Sequence, residues 1–167
     1  EIIEKDVNLA YRVMRAIKSR AGDDLVYSIK RALTYMGLKE IERWINILMI
    51  QDLGENKPKE LMNLSLVRTR FAEAIAVESG KKNIKYEASM MGLFSTLDAM
   101  LDQNMKEALS DITLPSSIEE VLCHNQGHLK HIYDLMIAYE KANWDEAISL
   151  CNQMNIDEGN LYTAYLD

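Results

Sequence analysis

Histidines come first, because hydrolytic metal centres draw on them. His124, His128 and His131 are the three histidines of the 167-residue chain. At i, i+4 and i+7 they fit one face of a helix, a spacing that transition metals use, with Cys123 or Asp134 as nearby extra donors. Gly127 falls inside the set and marks a helix start, which breaks the first interval. Spacing alone identifies no second segment that brings a carboxylate to them. The expectation is surface or loop histidines, with adventitious binding of nickel or zinc as the alternative.

Other chemistry has less to work with. There is no Gly-x-Ser-x-Gly elbow, and no histidine stands in an informative relation to a serine or cysteine. "ESGKKN" holds a Gly-Lys pair but lacks the first glycine of a phosphate loop and the hydroxyl residue after the lysine. Glu119/Glu120 and Asp157/Glu158 read as helix-start charges. Cys123 and Cys151 have neither metal nor redox spacing, and two thiols in a Met-rich chain fit a reducing, cytoplasmic setting. No cofactor is expected, and the expectation is that this chain is not an enzyme.

The elements that would position these residues are helical. Two prolines and seven glycines are few for 167 residues, and 48% of the chain is hydrophobic. No stretch alternates with a period of two. Stripes at helical spacing run through Val7, Ala10, Met14 and Ile17, with Asp6 as start signal. Others run through Ile29, Ala32, Leu33 and Met36, closed by Gly37, and through Leu38, Ile41, Ile45, Leu48 and Met49. A long helix from Pro58 carries Leu61, Leu64, Phe71 and Ile75 and stops at Gly80. Residues 86–101 read as one central buried helix. A short helix follows at Asn104–Leu109, then one capped by Ser116 or Ser117. Two more stripes are Leu129, Ile132, Met136, Tyr139 and Ala147, Ile148, Cys151, Met154. A last helix is expected at Leu161–Leu166. The fold class is all-α, with about nine or ten helices. One domain spans residues 1–167, with a hinge near 52–58.

Charge is divided unevenly. Residues 1–85 carry 16 Lys+Arg against 12 Asp+Glu, and residues 86–167 carry 3 against 14. The net charge of −7 disfavours nucleic acid as a partner, even for the basic set Arg12, Arg15, Lys18, Arg20, Lys30 and Arg31. The asymmetry gives a basis for docking a partner protein or for a homo-oligomer. The longest apolar run, "INILMI", is far short of a membrane span. The chain begins at Glu1 without Met and reads as a C-terminal fragment of a longer protein.

Several phrases, in order, resemble the HDOD (HD-related output domain) family. They are "DVNLAYRVMRAI", "SIKRALTYMGLKEIERWINILMI", "LVRTRFAEAIA", "MMGLFSTLDAMLDQNMKEAL", "LPSSIEEVL" and "AYEKANWDEA", and they span about Glu4 to Ile148. The chain is most similar to the subgroup that follows an EAL domain in cyclic di-GMP signalling proteins, on "LVRTRF", "GLFSTLDAML" and "AYE…W". The resemblance implies a fold like that of the HD phosphohydrolases without their metal site. Ser95 and Thr96 match the place of the His-Asp doublet and offer hydroxyls in place of an imidazole and a carboxylate. Asp98 stands two residues on, a lone carboxylate. Lys18-Ser19 departs from the Asn-Ser of many relatives. Tyr139, Glu140 and Trp144 form a family-like structural motif, a corner locking two helices by aromatic contact. The same stretch is similar to a single tetratricopeptide repeat, but no second copy follows.

The function this implies is a non-catalytic signalling module. It would bind a protein partner or an upstream EAL domain, where cyclic di-GMP would be handled. The alternative is a divergent metal-dependent phosphohydrolase with a relocated site at His124, His128 and His131. Elemental mass spectrometry of tag-free protein separates the two. Transition metal well below about one equivalent per chain is expected, and one or two tightly held equivalents would establish the histidine site.

Overall fold

The computed structural model describes residues 37–53, 58–110, 114–159 and 161. The stripes on residues 7–17 and 29–36, Lys18-Ser19, the basic set on residues 12–31, residues 54–57 of the hinge and the tail after Leu161 lie outside the described residues. The described residues are helical and contain no strand. No helix among them is long and apolar enough to cross a membrane.

The chain divides into two compact units, residues 1–45 and 46–167. In the first, Gly37 takes φ +76°, a left-handed conformation that costs glycine least. It opens α1 (Leu38–Leu53), whose first turn closes with the Ile41 amide on the Gly37 carbonyl at 3.1 Å. The helix that Gly37 was expected to close is not among the described residues. Leu38 and Ile45 of the expected stripe are exposed, and Ile41 is half-buried.

The second unit holds the later part of α1 and seven further helices. They are α2 (Lys59–Glu78), α3 (Lys85–Phe94), α4 (Leu97–Leu101), α5 (Met105–Ser110), α6 (Ser116–His124), α7 (Lys130–Glu140) and α8 (Trp144–Met154). A 3-10 turn, Lys82–Ile84, precedes α3. Two apolar clusters organise the unit. The larger gathers Phe71, Ala72 and Ile75 of α2, Ala88 and Met91 of α3, and the inner faces of α6, α7 and α8. The smaller gathers Ile50 of α1, Leu93 and Phe94 of α3, Leu97 and Met100 of α4, and Ala108 and Leu109 of α5.

Helix ends follow local chemistry. After α2 the Lys81 amide reaches the Ala76 carbonyl at 2.8 Å and the Gly80 amide reaches Val77 at 3.0 Å, with Gly80 at φ +73°, a Schellman stop at the expected glycine. Asp102, Asn125 and Asn155 take the left-handed position after α4, α6 and α8. Ala142 takes it after α7, at a cost of about 1–2 kcal/mol for a residue with a Cβ. The expected serine cap of α6 is corrected: Pro115 occupies the N-cap with φ −54° and ψ 135°, and no side chain caps the helix. Proline's fixed φ sets the start, and Ser117 is turned into the core, where its Oγ has no hydrogen-bond partner. In α8, Leu150 is buried and Ile148 is 43% exposed, so Leu150 replaces Ile148 in the inner stripe.

The expected single helix over residues 86–101 is two helices, α3 and α4, broken at Ser95-Thr96. Close packing of α3 on α2 leads up to the break. Ser65 Oγ of α2 donates to the Leu93 carbonyl at 2.7 Å, and Thr69 Oγ1 donates to the Ser65 carbonyl at 2.6 Å. Gly92 lies directly over the α2 backbone, and a Cβ there would overlap the Arg68 carbonyl and the Thr69 amide.

Gly92→Ala sets two effects against each other. Alanine gains about 1 kcal/mol in helix propensity, while forcing a rigid backbone apart costs about 1–3 kcal/mol or more. The overlap is with backbone, not a movable side chain, so the second effect wins. Urea unfolding should show a net loss of up to about 2 kcal/mol.

Candidate functional site at the Ser95-Thr96 bend

Arg68 lies on α2 in register with its apolar stripe. Leu61, Leu64, Phe71 and Ile75 leave a gap at the position that Arg68 fills. The arginine is therefore carried inward by the helix, and its side chain is only 12% exposed. A guanidinium taken from water needs an anion and acceptors for its fork of donors.

Two segments supply them. Nε and Nη2 donate to the two oxygens of Glu140, on the last turn of α7, at 2.7 and 2.8 Å. Nη1 donates to the carbonyl and the Oγ of Ser95, at 3.2 and 3.1 Å. Ser95 Oγ in turn donates to the Gly92 carbonyl at 2.7 Å. The Ser95 carbonyl thus points at Arg68 in place of extending the helix, and α4 restarts from the Thr96 carbonyl, which accepts the Met100 amide at 3.0 Å. Charge-assisted bonds of this kind contribute about 1.5–3 kcal/mol each. Glu140 has a side chain 29% exposed, so the pair stands at the rim of the core and is not a freely solvated surface pair.

The aromatic corner lies beside it. The Tyr139 ring is 5.1 Å from that of Phe71 and 5.6 Å, edge-on at 86°, from that of Trp144. Tyr139 is buried and Trp144 is 54% exposed. About two turns back from Glu140 on α7 is Tyr133. Burial pushes its phenol above the usual value. Arg68 opposes the shift, and Asp98, Glu140 and Asp134 add to it. Asp98 Oδ1 accepts the Ala99 amide at 2.8 Å. Thr96 is buried, and its Oγ1 has no hydrogen-bond partner.

The histidines are dispersed over three pieces of structure. His124 ends α6, His128 lies in the turn that contains Gly127 (φ +88°), and His131 is in the first turn of α7. All three are exposed. His128 Nε2 is 2.8 Å from Glu87 Oε2 of α3, so this histidine ties the turn to that helix. Among the described residues, no group of three or more His, Cys, Asp or Glu is placed to hold a metal ion. Burial, then Glu119, raises the Cys123 thiol, with Lys106 opposing, and burial, then Glu158, raises Cys151. Both are kept as thiols, the less nucleophilic form.

The bend therefore joins "LVRTRF", "GLFSTLDAML" and "AYE…W" through one side chain. The chain belongs to the HDOD family, whose model, described as HDOD domain, matches residues 1–126. Over 158 residues it is 27% identical to the protein named cyclic di-GMP phosphodiesterase CdgJ of Vibrio cholerae serotype O1, covering 93% of this chain and 37% of that protein. Over 172 residues it is 28% identical to the uncharacterized protein YuxH of Bacillus subtilis strain 168, covering 100% of this chain and 41% of that protein. The chain thus spans about two fifths of the length of these curated relatives. No solved structure matches it. Helices α7 and α8 follow the residues that the family model matches, yet they complete the larger apolar cluster.

Arg68 was not singled out by sequence reasoning. The signal was present: a cation at a stripe position of α2, inside one of the subgroup-like phrases. Its partner was named only as part of a corner motif.

Tyr133 gives the pH dependence of this region. Its folded-state pKa is raised, so its contribution to stability is complete below the unfolded value, about 10, and is lost as pH rises through the folded value. Thermal unfolding of the parent and of Tyr133→Phe should differ by a constant amount up to about pH 10, and the parent should lose relative stability above it.

Proposed function

We propose that this chain is the interaction and output module of a longer cyclic di-GMP signalling protein, and that it performs no hydrolysis itself. The observation that supports this is the Arg68 tie. A guanidinium, two hydroxyl residues and a backbone carbonyl occupy the bend where the family resemblance puts a metal-holding doublet. Such a set is rich in donors and poor in the imidazole and carboxylate donors that a hydrolytic metal needs. The module would work in the cytoplasm with an EAL domain preceding Glu1, or with a separate protein partner, and without nucleic acid. Residues 1–167 act as one domain in this reading, and the acidic charge of its second half would favour a basic partner surface.

Two assays test it. The chain alone, and the variant Ser95→His with Thr96→Asp, should show no hydrolysis of cyclic di-GMP with added manganese or magnesium, because the remaining ligands are missing. Adding the chain in trans to the EAL region of its own longer protein should change the rate of cyclic di-GMP turnover or the affinity for the nucleotide. Metal-dependent turnover by the chain alone, abolished by His128→Ala with His131→Ala, would establish the phosphohydrolase instead.

A further inference from the structure

The two edges of the Arg68 guanidinium are held in different ways. One edge, Nη1, is fixed by Ser95, a residue of the adjoining bend whose own Oγ is anchored on the Gly92 carbonyl. Among the described residues the other edge, Nε with Nη2, is paired only with Glu140, which is 72 residues away in sequence. Loss of Glu140 would therefore leave an oriented fork with two free donors and an uncompensated charge. A fork of this shape matches any group with two adjacent anionic oxygens, a carboxylate or a phosphate.

Glu140 is also the outer of the two partners. Its side chain is 29% exposed against 12% for Arg68, so solvent reaches the pair from the Glu140 side. It is the last residue of α7, directly ahead of the turn in which Ala142 is held at φ +52°. A helix end followed by a strained left-handed alanine is a place where the chain can yield before the core does.

We propose that the Nε–Nη2 edge of Arg68 is an oxyanion-binding site that Glu140 closes in cis. Glu140 acts as a tethered stand-in for the ligand. A carboxylate or phosphate group that takes its place releases the end of α7, and with it the corner that Tyr139 and Trp144 lock. This does not depend on the presence of an EAL domain.

Chemical rescue tests it on the full chain. Thermal unfolding of the parent, Glu140→Ala, and Glu140→Ala combined with Arg68→Ala is followed in formate, in inorganic phosphate and in chloride at matched ionic strength. Glu140→Ala should gain about 3–5 °C in Tm, saturably, from formate or phosphate over chloride. The parent, whose site is closed, and the double variant, which has no fork, should gain no more than the general salt effect. Rescue by formate alone would assign a carboxylate ligand, and rescue by phosphate would assign a phosphate. Equal responses in the single and double variants, or no response in either, would overturn the proposal. Should Glu140→Ala fail to fold in chloride, Glu140→Gln, which keeps the size and one acceptor, is compared with its own Arg68→Ala double in the same way. Anion-dependent stabilisation confined to the variant that retains Arg68 is again the required result.

Discussion

A cation carried into a core by its own helix must find its counter-charge there. Arg68 is that cation, and much of the second unit can be read as the answer to it. The stripe of α2 sets its direction. Glu140 supplies the charge, in the bidentate geometry that only a guanidinium uses fully. Ser95 supplies the remaining acceptors, and can do so because the helix breaks there. The break in turn depends on how closely α3 lies on α2, which only a glycine at position 92 allows. Desolvating the guanidinium costs several kcal/mol, and this arrangement offsets the cost with four hydrogen bonds, two of them to a full negative charge.

The consequences for function run through the same side chain. In a metal hydrolase fold, a metal ion would draw several helices to one point. Here the tie that draws α2, the α3–α4 bend and α7 together is made by side chains of the chain itself, through hydrogen bonds and an ion pair. Such a centre gives mechanical connection between these elements, the property that the proposed signalling role would use. The C-terminal hairpin of α7 and α8 is coupled to the HDOD-matched part of the chain by this ion pair and by the Phe71–Tyr139–Trp144 rings. A change at either end has a physical route to the other.

How much was legible depended on the kind of signal. Periodicity gave the helices, because burying one face is what makes them stable, and Leu129, Ile132, Met136 and Tyr139 are all buried as their spacing requires. Gly80 marked its stop because a left-handed residue is needed there. The bend at Ser95-Thr96 was invisible because the segment is apolar on both sides of it, and the Arg68 side chain that binds its open carbonyl is 27 positions away. Ser116 and Ser117 looked like caps, but proline's fixed backbone had already set the start of the helix. Ile148 fits its stripe by spacing, yet faces outward because Ala147, Leu150, Cys151 and Met154 fill the inner face. The Arg68–Glu140 pair joins positions 72 apart, and no local rule reaches that far. The one available hint was the charge at a stripe position.

The central claim is that Arg68 and Glu140 act as one unit at the junction of three segments. A double-mutant cycle tests it most directly, with Arg68→Ala, Glu140→Ala and both together compared by urea unfolding. Strong coupling is expected, about 1.5–3 kcal/mol, with the double variant losing far less than the two single losses combined. Losses that add to within about 0.5 kcal/mol would contradict it, and would reduce the pair to a contact that the fold does not need.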